Sequence, residues 1–284
     1  MKSDVVSYGF DRIKLSVANA RIKVGALQNM EYKGSEHGFN FYGDNQLRVG
    51  LSDNYIIFEF YALWFLNSVT SMSEAWSCCL AYVDHVCERW ESPKPSRIDV
   101  YVDRKYSIVK PLKVEDYKGK TRVKVGQFGG IAAETSYLFA QSRTWTIRRY
   151  DKSREIKDNQ HEHRYSEEYQ ENVIRTEAQY TKDYFKQLKE RTFENSIAYI
   201  VKNLKETTVP ELHFLAERIE EEIGQGVIVY KQSHAGERNG ERTKQRIYRY
   251  LENLHRDFIA IAGDDREFFA ELAKLGKKEI SIHV

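Results

Sequence analysis

The chain has few of the residues that mark several common protein classes. Its 284 residues include only three cysteines and four prolines. Cys78, Cys79 and Cys87 fall in one helical segment, so they cannot build the disulfide framework of a small secreted protein. The longest apolar run, 55–66, is interrupted by Glu59 and is too short to cross a bilayer. Since the first ten residues also lack an apolar signal core, we expect a cytoplasmic protein that has no membrane partner.

The chain also lacks an excess of charge of one sign. Its 44 basic residues are nearly balanced by 42 acidic ones, for a net charge of +2. A weakly basic balance permits nucleic-acid binding without requiring it. The content of 41% hydrophobic and 13% aromatic residues indicates a folded protein and not a disordered one.

The hydrophobic pattern alternates between strand and helix periods. Alternation over 12–17, 38–42, 47–51 and 55–60 is typical of an antiparallel meander, and 71–90 follows with helical spacing. The order strands, helix, strand, then strands and helices, suggests two half-sheets arranged alike. We therefore predict an α+β fold with a mainly antiparallel, curved sheet built from two similar halves, helices covering one face and a helical C-terminal region. The expected domains are residues 1–205 and 206–284.

Three short segments in the middle of the chain carry carboxylates: 97–103, 150–155 and 175–177. Alternate side chains of a strand share a face. The members expected on one face of their strands are Arg97, Asp99, Tyr101 and Asp103 in the first segment, Tyr150 and Lys152 in the second, and Arg175 and Glu177 in the third. If these strands are neighbours, one surface gathers acids, a tyrosine and basic groups. That mixture suits metal-assisted attack on a phosphodiester.

The same segments resemble motifs of rolling-circle replication initiators of plasmids and filamentous phages and of related relaxases. The resemblance consists of Arg97-Ile98-Asp99, then Tyr150-Asp151-Lys152-Ser153-Arg154-Glu155, then Arg175-Thr176-Glu177, in the family's order and rough spacing. It covers roughly residues 10–190, and the opening strand from Asp11 to Leu15 and the strand 134–137 are also similar.

The resemblance implies a nicking and joining reaction on one strand of origin DNA. Tyr150 would be the nucleophile, giving a 5′-phosphotyrosine link and a free 3′-hydroxyl. Lys152 would favour its phenolate, since a free tyrosine with a pKa of about 10 is a poor nucleophile. Lys152 and Arg175 would stabilise charge on the phosphoryl oxygens.

A divalent metal, Mg or Mn, is the cofactor that this reaction implies. Asp99, Glu155 and Glu177 would hold it and polarise the scissile phosphate, with Asp103 as a weaker ligand. The expected partners are double-stranded origin DNA, single-stranded DNA, a host helicase and a single-strand-binding protein. A homodimer is compatible with the sequence, which leaves the oligomeric state open.

Other residues invite competing interpretations. Tyr101 and Tyr137 rank below Tyr150 because neither has a lysine on its own strand face. The 161–163 His-Glu-His triplet lies in a polar stretch that predicts a loop, whereas metal sites need ligands on a stiff frame. In the C-terminal region, a basic stripe of Arg242, Lys244, Arg246 and Arg249 fits either phosphate contacts or a solvated helix face.

Two rival functions remain open at this stage. The first is a sequence-specific DNA-binding regulator on the same scaffold that does not cleave, which the basic stripe favours. The second is a metal nuclease that uses water as its nucleophile with the same carboxylates. Detection of a 5′-phosphotyrosyl bond distinguishes the nicking and joining enzyme from both.

Overall fold

The computed structural model of this chain describes residues 4–233, with gaps at residues 45, 63, 66–71, 90, 107–109, 119–124, 129–134 and 140–141. Its centre is a ten-stranded sheet. The strands are β1 Val5–Ala18, β2 Arg21–Ile22, β3 Tyr32–Glu36, β4 Phe39–Gly43, β5 Leu47–Leu51, β6 Tyr55–Tyr61, β7 Cys87–Arg89, β8 Lys94–Lys105, β9 Val125–Phe128, β10 Thr135–Leu138, β11 Trp145–Asp151 and β12 Val173–Thr181. β2 and β7 pair separately as a small ribbon, and all ladders between these strands are antiparallel.

The sheet consists of two halves with the same connectivity. Its spatial order is β3-β4-β5-β6-β1-β8-β12-β11-β10-β9. In each half the first strand, β1 or β8, lies at the centre of the whole sheet. The next four strands of the sheet follow in order from its outer edge to its centre, so the last of them, β6 or β12, pairs with the first. A helix follows each half in the chain. The predicted α+β class and the two similar halves are confirmed.

Helices cover one face of this sheet. They are α1 Met72–Val86, α3 Lys182–Phe185, α4 Phe193–Lys205 and α5 Pro210–Ser233, whereas α2 Lys152–Asp158 contributes no side chain to the core on that face. Side chains from α1, α3, α4 and α5 share one continuous apolar core with Ile13, Leu15, Ile98 and Val100 of the central strands. Burial of such side chains contributes about 1.5–3 kcal/mol each, which holds the central strands in register. The opposite sheet face carries the charged side chains of Asp99, Arg175 and Glu177, and α2 packs there against Val173.

Helix α2 occupies part of the stretch 153–171, whose almost wholly polar sequence predicts an exposed loop. Asp151 caps this helix, because its side chain accepts a hydrogen bond of 2.8 Å from the backbone N–H of Arg154. Ile156 then packs with Tyr169 and Val173 in a small second apolar cluster. Short 3₁₀ turns at Glu162–Arg164 and Glu167–Tyr169 complete the connection to β12.

The chain divides into a compact unit Met1–Ile228 and a second unit Val229–Val284. The first unit extends past residue 205 because the first turns of α5 bury Leu212, Leu215 and Ala216 in the sheet's core. Among the residues that the structure describes, no helix combines the length and apolarity needed to span a membrane.

Candidate active site on the polar face of the sheet

The central feature of the polar face is a bulge in β1. Ile13, Leu15 and Val17 alternate into the core, and strict alternation would turn Asp11 towards the core as well. The ladder between β1 and β8 shifts register between Phe10 and Arg12, so Asp11 is the extra residue. A bulge of this kind re-aims a side chain. Here it brings the Asp11 carboxylate to the polar face.

Three carboxylates from three adjacent strands meet there. Asp11 of β1, Asp99 of β8 and Glu177 of β12 each place one oxygen within 4.8 Å of the others. Asp99 and Glu177 are buried, whereas Asp11 is partly accessible. Hard divalent cations prefer such oxygen ligands. Of the predicted ligands, the structure therefore brings together Asp99 and Glu177 and adds Asp11, which sequence reasoning did not select as a ligand.

Arginines hold two of these acids in place. Both oxygens of Asp99 accept hydrogen bonds of 2.9 Å from Nε of Arg97. An oxygen of Glu177 accepts from Nε of Arg148 at 2.8 Å and from its Nη2 at 2.7 Å. These charge-assisted contacts fix the carboxylates on the rigid sheet. Arg148 lies directly opposite Glu177 in the ladder, a relationship that the sequence could have revealed only through the strand register.

The electrostatics of the group favour an added cation. Burial raises the pKa of Asp99 to about 7, against the lowering effect of Arg97, and the neighbouring Glu177 and Asp11 raise it further. Burial, together with repulsion from Asp11, also raises the pKa of Glu177. Burial opposes ionisation of Asp11, but the nearby cations, Arg175 first among them, together outweigh it and lower the pKa of that carboxyl. A divalent metal would relieve this repulsion, because it binds carboxylates in their ionised form.

Tyr150 lies on the same face as the three acids. It pairs with Arg175 across the β11–β12 ladder, and the guanidinium of Arg148 lies 4.9 Å from the centre of its ring. Burial raises the pKa of Tyr150, and the charges that act on its phenol include Arg175, Glu177, Arg148 and Asp11. The side chain is only 7% exposed. Cations beside it counteract the burial, and a bound metal would do so further.

Arg175 ties Asp103 to the scaffold of the site. Its Nε and Nη2 donate to the two oxygens of Asp103, each at 2.7 Å, and its Nη1 donates to Asp11. Asp103 also accepts a hydrogen bond of 2.7 Å from the hydroxyl of Tyr169. The carboxylate of Asp103 thus has three donors and lies outside the group of three acids. It orients Arg175 in this structure.

Lys152 and Glu155 are placed differently from the expectation. Lys152 does not share a strand face with Tyr150, because β11 ends at Asp151 and Lys152 begins α2. Its buried ammonium pairs with the half-exposed carboxylate of Glu155. It remains close enough to Asp11 to lower the pKa of that carboxyl. Glu155 is not one of the three clustered acids.

The weaker candidates that the structure describes, Tyr101 and the two histidines, make other contacts. The hydroxyl groups of Tyr101 and Ser7 share a hydrogen bond of 2.9 Å. The guanidinium of Arg175 lies 3.9 Å from the centre of the Tyr101 ring. His161 and His163 lie at a 3₁₀ turn and are not members of the group of Asp11, Asp99 and Glu177. The basic stripe of Arg242, Lys244, Arg246 and Arg249 lies outside the described residues.

Comparison with known proteins gives a distant structural likeness. No family model and no curated protein matches the sequence. The solved structure of the rolling circle replication initiator protein from Geobacillus stearothermophilus is similar to this chain with a TM-score of 0.43 and 17% identity. The likeness covers 71% of this chain and 86% of that protein. At this TM-score it identifies neither a shared family nor a shared activity.

Proposed function

We propose that the protein is a rolling-circle replication initiator, of plasmid or phage type, that nicks and rejoins one strand of origin DNA. The observation that supports this most directly is the carboxylate group of Asp11, Asp99 and Glu177 on the sheet face that also carries Tyr150. A tyrosine beside a metal-type acid group suits transfer of a phosphoryl group through a covalent intermediate.

In the proposed reaction the phenolic oxygen of Tyr150 bonds to phosphorus while the bond from phosphorus to the 3′ oxygen breaks. The phenol loses its proton and the departing 3′ oxygen gains one, so the products are a 5′-phosphotyrosine and a 3′-hydroxyl. Arg148 and Arg175 stabilise the phenolate. The guanidinium of Arg148 lies at the ring of Tyr150, and Arg175 lies opposite Tyr150 in the ladder. Joining is the same exchange in reverse, with the bond energy conserved.

Asp11, Asp99 and Glu177 would hold a divalent Mg or Mn ion, which would supply Lewis-acid activation of the scissile phosphate. Lys152 lies near Asp11 and is proposed to neutralise part of the charge on the incoming DNA. The partners proposed from this role are duplex origin DNA, single-stranded DNA, a helicase and a single-strand-binding protein.

The proposal is tested by looking for a covalent DNA adduct. The full chain is incubated with manganese and a supercoiled plasmid that carries the DNA adjoining its gene, and products are separated under denaturing conditions. The wild type should give nicked plasmid with protein attached to the 5′ end. Tyr150→Phe should give no adduct while DNA binding persists. Tyr101→Phe is the matched control and should retain the adduct.

Burial of the Tyr150 phenol favours one alternative, the metal nuclease that uses water, because a desolvated tyrosine resists ionisation. Free 5′-phosphate ends without any adduct would support that enzyme and overturn the proposal. Binding of the origin DNA with no nick under any metal would instead support the regulator that does not cleave.

A further inference from the structure

The first half of the sheet contains a counterpart of the site in the second half. Glu59 on β6 lies opposite Arg48 on β5, just as Glu177 on β12 lies opposite Arg148 on β11. Because β6 and β12 occupy the same place in their halves, as do β5 and β11, these two Glu–Arg pairs are structurally equivalent. Other positions can then be matched by counting along the ladders.

The counterpart lacks the groups that the proposed reaction needs. Two residues beyond Arg148 stands Tyr150, whereas two residues beyond Arg48 stands Gly50. On the central strand, Lys14 pairs with Glu59 as Tyr101 pairs with Glu177. Arg12, two residues before Lys14, therefore occupies the position that Asp99, two residues before Tyr101, holds in the second half. A nucleophile is thus replaced by glycine and a metal-type carboxylate by a cation.

Both halves arrange their charges in two layers. In the second half the side chains of Asp99 and Glu177 are 1% and 0% exposed. Their partners Arg97 and Arg148 lie above them, with side chains that are 29% and 30% exposed. In the first half Glu59 is 8% exposed, beneath Lys14 at 27% and Arg48 at 21%. Lys14 and Glu59 lie 2.7 Å apart. In both halves buried acids lie beneath basic side chains. In the first half the outer layer also contains Glu36, which is 56% exposed and pairs with Arg48 at 3.0 Å.

Aromatic rings support basic side chains of the first half. The guanidinium of Arg48 stacks 3.8 Å from the centre of the Phe41 ring, and that of Arg12 lies 4.8 Å from the centre of the Tyr61 ring. A flat guanidinium on a ring is a suitable platform for phosphates and for nucleobases. Strand β5, which carries Arg48, lies three strand spacings, or about 14 Å, from β8, which carries Asp99.

We propose that Arg12, Lys14 and Arg48 form a subsite for single-stranded DNA that binds the strand without cleaving it. The subsite is continuous with the acid group on the same sheet face. Its three cations outnumber the two acids that pair with them, Glu36 and Glu59, so its net charge is complementary to a phosphate backbone. It holds the strand beside the scissile phosphate and keeps it aligned for cleavage and rejoining. This inference rests on the proposed function, since it takes the bound polymer to be the strand that is nicked.

The test measures binding of a fluorescein-labelled oligothymidylate to the full chain by fluorescence anisotropy, without metal, over a range of salt concentrations. Lys14→Gln and Arg48→Gln should each weaken binding about fivefold at 0.1 M salt and reduce the slope of log K against log salt by about 0.7, as expected for one lost phosphate contact on a single strand. Lys14→Arg, which keeps the positive charge, should bind the oligothymidylate as the wild type does. Thermal melting of each variant verifies that it is folded.

The matched controls are ion pairs on helices. Lys205 pairs with Glu220 at 2.6 Å and Arg218 pairs with Glu221 at 2.6 Å, so Lys205→Gln and Arg218→Gln remove the same charges from other elements. They should leave anisotropy unchanged. Equal losses in controls and subsite variants, or a preference for blunt duplex over oligothymidylate, would overturn the subsite.

Failure of this inference is distinguishable from failure of the proposed function. If Lys14→Gln and Arg48→Gln bind like the wild type while the wild type still forms the Tyr150 adduct, the subsite is wrong and the enzyme stands. If the variants lose binding but the wild type forms no adduct, the strand-binding surface stands and the cleavage chemistry is wrong.

Discussion

Arg175 and Asp103 form a fully buried, bidentate ion pair, with Nε–Oδ1 and Nη2–Oδ2 distances of 2.7 Å each. Both side chains are 0% exposed, so neither charge can turn to water if its partner is lost. We therefore expect Asp103→Asn to lower the free energy of unfolding by about 3–5 kcal/mol. Urea denaturation measures this, and Lys205→Gln at an exposed pair should cost less than about 1 kcal/mol. A loss at Asp103 as small as that at Lys205 would contradict the assignment of Asp103 to the scaffold.

Metal affinity should separate Asp11 from Glu155. Asp11→Asn removes one of the three clustered carboxylates and should weaken Mn²⁺ binding at least tenfold, or about 1.4 kcal/mol, as measured by isothermal titration calorimetry. Glu155→Gln removes an acid that pairs with Lys152 instead, and it should leave the affinity within about twofold. The reverse ranking would restore Glu155 to the ligand set and remove Asp11.

Gly50 should resist even the smallest side chain. A Cβ at this position would lie 2.5 Å from Cε1 of Phe41, whose ring packs on the glycine. Gly50→Ala forces the ring away and should destabilise the protein by about 1–3 kcal/mol, although alanine is otherwise favoured over glycine within a strand. The double variant Gly50→Ala with Phe41→Leu should recover part of that loss in thermal melts. No recovery would show that the ring is not the obstacle.

Glu59 should make stability sensitive to acid. Burial opposes its ionisation, but Lys14 outweighs it and lowers the pKa of this carboxyl from its ordinary value of 4.5. The stabilisation is therefore complete above pH 4.5 and is lost as pH falls through the lower, folded-state value. Urea denaturation at several pH values should show a shallower decline for Glu59→Gln than for the wild type. Lys14→Met should flatten the decline too, and an unchanged slope in both variants would contradict the pairing.

Much of the polar face followed from alternation alone. Ile98, Val100 and Val102 had to face the core, so Asp99 had to face away from it together with Tyr101. The same argument placed Arg175 beside Glu177. Lys152 escaped this reasoning because Asp151 caps a helix at that point, and a single capping side chain ends the strand pattern.

The sequence by itself determined the α+β class and the two similar half-sheets, and it placed Asp99 and Glu177 on the polar faces of their strands, because these features depend on local periodicity. Only the tertiary structure decided that Asp11 joins them, that Glu155 does not, and that Asp103 belongs to Arg175. A bulge in β1 and the pairing of Arg148 with Glu177 are set by ladders between strands distant in the chain. Register between such strands is fixed by packing of the whole sheet, so no short stretch of residues encodes it.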